Sequence, residues 1–234
     1  MRIPPEPRAL ERLTVPRIAA HLAVDPRLLL AIGPLEDHGP SLPVGTGITI
    51  ASAVVDHVSA ETGILRAPPF CYGVTHRAPT QRPGLASLRR KTLHRAINEL
   101  MAGWEDHGIQ EFILVTAHGS ESHLDALLMA MTSKSLTTVF DLGSVRMDDV
   151  LVMETDDPDV TRLDTALLEY LAPEQLHNLD PAAVEEATYA PIAADGEALF
   201  GRYVQSLMTH LGFDATNEVD PEPDAERTTK EPQG

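Results

Sequence analysis

Cysteine and basic residues are both scarce in this sequence. Cys71 is the single cysteine among 234 residues, which excludes an intramolecular disulfide and a zinc site built from thiolates. We expect its side chain to act as a small buried hydrophobe. The 18 Lys and Arg are outnumbered by 35 Asp and Glu, giving a formal net charge of −17. Because phosphate binding depends on clustered Lys and Arg, this charge argues against nucleic acids and anionic membranes as partners.

Long apolar runs and several familiar catalytic motifs are also missing. No stretch approaches the roughly 20 apolar residues of a membrane span, and Met1–Pro5 carry no apolar signal core. The sequence therefore predicts a cytoplasmic protein. The segment around Ser120 lacks the Gly-x-Ser-x-Gly elbow, and no Gly-x-Gly-x-x-Gly or Walker sequence is present. These absences argue against a serine hydrolase of that type and against a nucleotide phosphate cradle.

The composition predicts one folded domain followed by an acidic tail. Hydrophobic residues make up 43% of the chain, enough for one sizeable core, and neither a repeat nor a Pro/Ser-rich linker divides it. We expect the domain to span residues 1–212. From Asp214 onward there are seven carboxylates, two basic residues and three prolines. Such a segment buries too little apolar area to offset its ordering entropy, so we expect residues 213–234 to be disordered.

Apolar runs alternate with helical patterns along the domain. Strand-like runs occur at Leu28–Ile32, Ile64–Ala67, Phe112–Thr116, Thr138–Asp141 and Val150–Met153, and helical patterns at about 48–60, 90–107, 120–133, 163–171 and 196–211. Each strand is apolar on both faces, as expected when helices cover both sides of a mostly parallel sheet. The pattern predicts a three-layer α/β/α sandwich.

Polar residues follow the first predicted strand. The apolar run breaks at Gly33–Pro34 and is followed by Glu36, Asp37 and His38. In an open α/β sheet, ligands bind at the carboxyl ends of the strands. His118 ends another predicted strand, so we expect it at the same edge. A carboxylate and an imidazole placed so close together suggest a metal site.

Residues 33–47 resemble the signature of the creatininase family of metal-dependent amidohydrolases, roughly Gly-Ser-x-Glu-x-His-Gly-x-His-Leu-Pro-x-x-Thr-Asp. Further segments resemble the family at Leu13–Ala19, Pro68–Thr75, Arg82–Leu88, Phe112–Gly119, Leu163–Leu168 and Gly196–Arg202. The resemblance covers about residues 10–212. It implies a creatininase-like fold and a homo-oligomer, commonly a hexamer in that family.

The resemblance also implies a set of metal ligands, and this chain departs from it. The family's equivalents of Glu36 and His118 bind one metal, and that of His38 binds a second. The Asp that joins the two metals is replaced by Gly47, and a second His of the signature by Ser41. Two adjacent ions without a bridging carboxylate would repel by several kcal/mol.

Further replacements of family residues fall near the expected metal site. Creatininase has a Glu where this chain has Ser120, and the family's His and Glu before the late helix correspond to about Asp159 and Arg162. One carboxylate and two imidazoles still form an ordinary three-ligand set with an open position for water. We therefore predict at most one divalent ion (Zn, Mn or Fe), held by Glu36, His38 and His118.

Other residues receive roles by their position. We predict Asp37 or Glu121 as the general base, and His76 and Arg77 as substrate-binding residues in the loop that follows Tyr72-Gly73. His123 lies five residues beyond His118 in a predicted helix, and we expect it to face solvent.

Three functional hypotheses follow. The first is hydrolysis of a C–N bond in a small cyclic amide, formamide or peptide-like substrate. The second is a family member that has lost hydrolysis and serves as a binding or scaffold subunit, because the replacements concentrate at site positions. The third is a rebuilt site with different chemistry in a specialised biosynthetic pathway. The sequence leaves the substrate open.

Overall fold

The computed structural model describes residues 6–38, 42–75, 83–145, 160–176 and 196–213. Its strands are β1 Arg27–Ala31, β2 Leu65–Arg66, β3 Glu111–Thr116 and β4 Leu136–Asp141. Its α-helices are α1 Val15–Leu22, α2 Thr46–Thr62, α3 Arg90–Glu105, α4 Glu121–Leu128, α5 Val160–Leu171, α6 Pro173–Leu176 and α7 Gly196–His210, with short 3₁₀ turns at Leu10–Arg12 and Leu142–Ser144. The predicted strand Val150–Met153 and the predicted tail beyond Phe213 lie outside the described residues.

The four described strands form one parallel sheet in the order β2-β1-β3-β4. Leu28 of β1 pairs with Leu65 on one side and with Phe112 on the other, and Phe112 in turn pairs with Thr137. All three apolar members of this row are almost completely buried. This arrangement confirms the predicted α/β class, because a parallel sheet with both faces covered requires continuous apolar strands.

Two apolar cores lie on opposite faces of the sheet. Leu29 and Ile113 pack against α2 and α7 on one face. Leu28 and Phe112 pack against α3 and the end of α4 on the other. Successive strand side chains point to opposite faces, so the alternation along β1 and β3 distributes the apolar residues between two helical layers. The sheet is flanked by helices as the sequence predicts.

The predicted helix at about 120–133 is too long. The observed helix α4 ends at Leu128, and the amide of Ala130 donates to the carbonyl of Leu127 in a tight turn. Ala130 is fully buried. The chain turns back toward the sheet at this buried residue, and β4 starts at Leu136.

The parallel direction of the strands positions the site. β1 and β3 both run toward the edge at which residues 33–38 and 117–120 emerge. In the part of the chain that the structure describes, no helix combines the length and apolar character needed to cross a membrane.

Candidate active site

Glu36, His38 and His118 converge at the carboxyl edge of the sheet. The Nδ1 atom of His118 lies 2.6 Å from Oε2 of Glu36, and Nε2 of His38 lies 3.5 Å from Oε1 of the same carboxylate. Glu36 and His38 follow β1, whereas His118 follows β3, the neighbouring strand. The structure therefore places two imidazoles on the two oxygens of one carboxylate.

Backbone contacts fix the orientation of His118. Its Nε2 lies 2.9 Å from the carbonyl oxygen of Val74, to which it donates, and its own amide donates to Oγ1 of Thr116 at 3.1 Å. With Nε2 occupied by a proton, a neutral imidazole presents the Nδ1 lone pair to Glu36. A proton or a cation is then needed between that nitrogen and the carboxylate, because two facing lone pairs repel.

A second histidine completes this half of the site. His123 is fully buried, accepts a hydrogen bond from the Val74 amide at Nδ1 (3.2 Å) and contacts Oγ1 of Thr116 through Nε2 (3.3 Å). Its ring lies edge-on to that of His118. Burial and the neighbouring His118 lower the pKa of His123 to about 4. His123 is therefore neutral at pH 7, with Nδ1 as acceptor and Nε2 as donor.

The close approach of the Val74 loop requires a glycine. A Cβ atom at Gly73 would lie 2.7 Å from Cε1 and Nδ1 of His123 and 2.9 Å from Cδ of Pro34. Side chains cannot come this close without displacement. Gly73 thus allows the loop to reach both histidines.

Asp164 of α5 holds the other side of His38. Its Oδ2 atom lies 3.1 Å from Nδ1 of His38, and both side chains are largely buried, with 14% and 12% of their surface exposed. The opposite ring nitrogen, Nε2, is buried and has no hydrogen-bond partner. A buried polar atom without a partner is uncommon and marks a place where a ligand binds or strain is stored.

The charges of the site are strongly coupled. Burial alone would raise the pKa of Glu36, but the contacts with His118 and His38 outweigh burial and lower that pKa to about 2. Burial alone would lower the pKa of His38, but Asp164 and Glu36 raise it to about 9. Burial, with the charges of Asp164 and Asp141, raises the pKa of Tyr203 to about 12. The site therefore keeps its carboxylate ionised across the physiological range.

Gly47 leaves space where the resembled family has its bridging carboxylate. A Cβ atom at this buried position would lie 3.5 Å from Oε1 of Glu36 and 4.0 Å from both Nε2 of His38 and Cβ of Ala117. These are ordinary van der Waals distances. The backbone thus faces the site at the predicted position, and the side chain alone is missing.

The predicted ligands Glu36, His38 and His118 converge without forming a three-ligand metal site. Among the described residues, no group of three or more His, Cys, Asp or Glu is arranged to hold a metal ion. Glu36 and His118 instead contact each other directly, with Nδ1 2.6 Å from Oε2. The Nε2 atom of His38, which has no hydrogen-bond partner, faces an oxygen of Glu36. Imidazole and carboxylate are common ligands of Zn²⁺ and Mn²⁺, so these two groups fit a single ion.

The other predicted site residues lie around this centre or outside the described residues. Asp37 is exposed between Glu36 and His38, and Glu121 is exposed at the start of α4. His76 and Arg77 lie outside the described residues, so their predicted role in substrate binding stays a prediction. Ser120, at the position of a family glutamate, donates to the carbonyl of Val74 at 3.3 Å.

The sequence interpretation was wrong for His123 and missed Asp164. His123 is fully buried rather than solvent-facing. Ala126 and Leu127, three and four residues later in α4, are also buried; residues at this spacing share a helix face, which was the available signal. Asp164 lies in the family-like segment Leu163–Leu168, which was the available signal, but it reaches His38 from a helix far away in the sequence.

Comparison with known proteins agrees with this fold. The model of the creatininase family, described as creatinine amidohydrolase, matches residues 11–217. The chain belongs to the creatininase family. A solved structure of creatinine amidohydrolase (creatininase) has a TM-score of 0.70 at 19% identity, covering 88% of this chain and 97% of that one. A putative creatinine amidohydrolase from Bacteroides fragilis has a TM-score of 0.65 at 14% identity, covering 94% of this chain and 100% of that one.

Two curated relatives share shorter segments with this chain. A 3-dehydro-scyllo-inosose hydrolase from Thermotoga maritima is 24% identical over 111 residues, which are 47% of this chain and 36% of that protein. The creatinine amidohydrolase of Pseudomonas putida is 27% identical over 99 residues, 41% of this chain and 38% of that protein. The matched segments thus span little more than a third of either relative. Solved creatininase structures include a manganese form and a Zn–Zn form.

Proposed function

We propose that this protein is a hydrolase that cleaves a C–N bond of a small cyclic amide, formamide or peptide-like substrate with at most one divalent ion. The observation that carries the proposal is the convergence of His38 and His118 on the two oxygens of Glu36. Distant relatives of this family are hydrolases, one of them a creatinine amidohydrolase.

Glu36, His38 and His118 would hold the ion. When bound, a divalent ion supplies Lewis-acid polarisation of the scissile carbonyl and a water nucleophile of lowered pKa. The protein residues bind and orient: Val74 fixes the direction of the His118 ring, and Glu36 supplies a negative charge at both imidazoles. The absence of a carboxylate at Gly47 is the reason for one ion rather than two.

Asp37 and Glu121 are the proposed general bases. Both are exposed carboxylates next to site residues: Asp37 lies between Glu36 and His38, and Glu121 follows Ser120. An exposed carboxylate reaches a substrate more readily than Glu36, whose two oxygens already face imidazoles. Replacing the true base with its amide should lower kcat about 100- to 10,000-fold, and replacing the other carboxylate should have a small effect.

Metal content and substrate turnover together test the proposal. Protein purified without chelator, then saturated with Zn²⁺ or Mn²⁺, should contain at most one ion per chain by elemental analysis. The metal-loaded protein should hydrolyse a member of a panel that contains creatinine, other cyclic amides, formamides and short peptides. Glu36→Gln and His118→Gln should lose the ion, whereas Glu99→Gln, an exposed carboxylate on α3, should keep it.

Two results would overturn the proposal. Two ions per chain would show that another carboxylate bridges the two metals. A conventional two-metal hydrolase would then replace the proposed one-ion hydrolase. No bound ion at saturating Zn²⁺ and Mn²⁺, with no turnover of the panel, would favour the second candidate, a binding or scaffold subunit that has lost hydrolysis. That candidate is favoured by the closed contact between Glu36 and His118 and by the missing side chain at Gly47.

A further inference from the structure

We propose that Asp164 is a positioning residue that holds the Nδ1–H of His38 and thereby directs Nε2 of the same ring toward Glu36. The inference deepens the proposed function, on which its consequence for ligand binding rests. It assigns a role to a residue of α5 that lies in the family-like segment Leu163–Leu168 and that received no role from the sequence.

The geometry around His38 supports this role. The Oδ2 atom of Asp164 lies 3.1 Å from Nδ1, while Nε2 on the opposite side of the ring is 3.5 Å from Oε1 of Glu36 and has no hydrogen-bond partner. A carboxylate accepts but does not donate, so Nδ1 must carry the proton. Nε2 is then the nitrogen that lies next to Gly47, 4.0 Å from the position that a Cβ atom would take there.

Packing fixes Asp164 in place. Leu167 and Leu168, one turn further along α5, are fully or almost fully buried. The start of α7 lies directly against α5, since a Cβ atom at Gly196 would lie 2.1 Å from the carbonyl oxygen of Ala166. The carboxylate is therefore presented from a helix whose position is determined by the core, not by the loop that carries His38.

Each of the two imidazoles is held by a hydrogen bond that one ring nitrogen donates, but the donating nitrogen differs between them. His118 donates from Nε2 to the Val74 carbonyl and presents Nδ1, whereas His38 donates from Nδ1 to Asp164 and presents Nε2. Metal-binding histidines usually donate their other N–H to a carboxylate or a carbonyl, and loss of that partner typically lowers metal affinity about 10- to 100-fold. Asp164 is the carboxylate in this arrangement.

Imidazole NMR tests the assignment without a metal. In ¹⁵N-labelled protein treated with chelator, the His38 Nδ1 proton should give a downfield resonance protected from solvent exchange. His38→Gln removes the resonance and so assigns it. Asp164→Ala should abolish it, Asp164→Asn should retain it at a less downfield position because the amide oxygen still accepts, and Glu169→Gln, a charge change at an exposed position of the same helix, should leave it unchanged.

Metal affinity then tests the consequence. Titration with Co²⁺, followed by its visible absorption, should show affinity about 10- to 100-fold weaker for Asp164→Ala than for the native chain. Asp164→Asn should recover most of that loss, and Glu169→Gln should match the native chain. Thermal unfolding identifies any variant that fails to fold, and the Asn variant keeps the shape of the native side chain.

The outcomes separate the two proposals. A protected Nδ1 proton that is lost in the Ala variant supports the role of Asp164. If the native chain also binds no Co²⁺, the one-metal function fails while the positioning of His38 stands. A native His38 without a protected Nδ1 proton, or an Asp164→Ala variant that retains the resonance, overturns the assignment.

Discussion

His118 and His38 face the same carboxylate, but the protein holds them in different ways. His118 is enclosed by several partners: the Val74 carbonyl, the Thr116 hydroxyl and the buried ring of His123 surround it. His38 has one partner on a distant helix, Asp164, and its second ring nitrogen is buried without a hydrogen bond. Gly47 lies beside this nitrogen, where a Cβ atom would fit at ordinary contact distances.

The difference indicates where the polar groups satisfy one another and where a buried nitrogen lacks a partner. In the His118 half, the polar groups satisfy one another, so the half behaves as part of the scaffold. In the His38 half, a buried nitrogen lacks a partner, an arrangement that native proteins rarely keep without a functional reason. We therefore expect ligand binding to depend mainly on the His38 half and folding stability on the His118 half.

The largest expected effect comes from filling the space in the His38 half. Gly47→Asp should raise the metal content from at most one ion to two ions per chain, because its Cβ fits at ordinary contact distance beside Glu36 and His38 and its carboxylate lessens the repulsion between ions. Elemental analysis after Mn²⁺ saturation measures the ratio. Gly47→Asn, of equal size without the charge, should stay at one ion or fewer; an equal rise in both variants would contradict the explanation.

The next prediction concerns stability in the His118 half. His123→Leu should lower the free energy of unfolding by about 2–4 kcal/mol, since it leaves the buried Val74 amide without an acceptor and removes one of the two contacts of the Thr116 hydroxyl. His38→Asn, which keeps a donor to Asp164 near the position of Nδ1, should lower it by about 1 kcal/mol or less, because Nε2 has no hydrogen bond to lose. Urea unfolding followed by the single tryptophan, Trp104, gives both values. Similar losses would show that the halves do not differ.

A matched pair of glycine substitutions gives a somewhat smaller effect. Gly73→Ala should destabilise by about 1–3 kcal/mol, because the added methyl group would lie 2.7 Å from His123 and the loop must shift. Gly47→Ala adds the same group at 3.5–4.0 Å from its neighbours, within α2, and should be neutral or stabilising by up to about 1 kcal/mol. Urea unfolding of the two variants measures the contrast, and a destabilised Gly47→Ala would show that the space is narrower than the structure indicates.

The smallest expected effect lies at the amino end of β1, away from both histidines. Hydrogen bonding by Arg27 outweighs burial and lowers the pKa of Asp25 below its ordinary value. A lowered folded-state pKa contributes stability above the unfolded value near 4, which is lost as the pH falls through the folded value. Asp25→Asn should therefore lower the urea midpoint slightly at pH 7, and the difference from the native chain should shrink below about pH 4.

An exposed carboxylate provides the control for this pH experiment. Asp106 is 70% exposed and lies 3.8 Å from Lys134, and exposed ion pairs of this kind contribute little. Asp106→Asn should follow the native chain across the whole pH range. A difference between Asp25→Asn and the native chain that persists unchanged at pH 3 would mean that the Asp25 charge is not its cause.

The sequence predicted the residues at the sheet edge better than the residues that support them. Glu36, His38 and His118 were identifiable because each follows an apolar strand, and parallel strands end at one edge. His123 was misjudged because its burial depends on the close approach of the Gly73–Val74 loop, which is remote in sequence. Asp164 was missed although it lies in the family-like segment Leu163–Leu168, because only the packing of α5 brings it to His38.

By itself, the sequence determined the class of fold and the identity of the residues at the sheet edge, because apolar periodicity and strand direction are local properties that are repeated along the chain. It also determined that Gly47 supplies no carboxylate. The tertiary structure decided which nitrogen of each imidazole faces Glu36, that His123 is buried, and that Asp164 contacts His38. These features depend on contacts between residues distant in sequence, whose distances and hydrogen-bond partners exist only after the layers have packed.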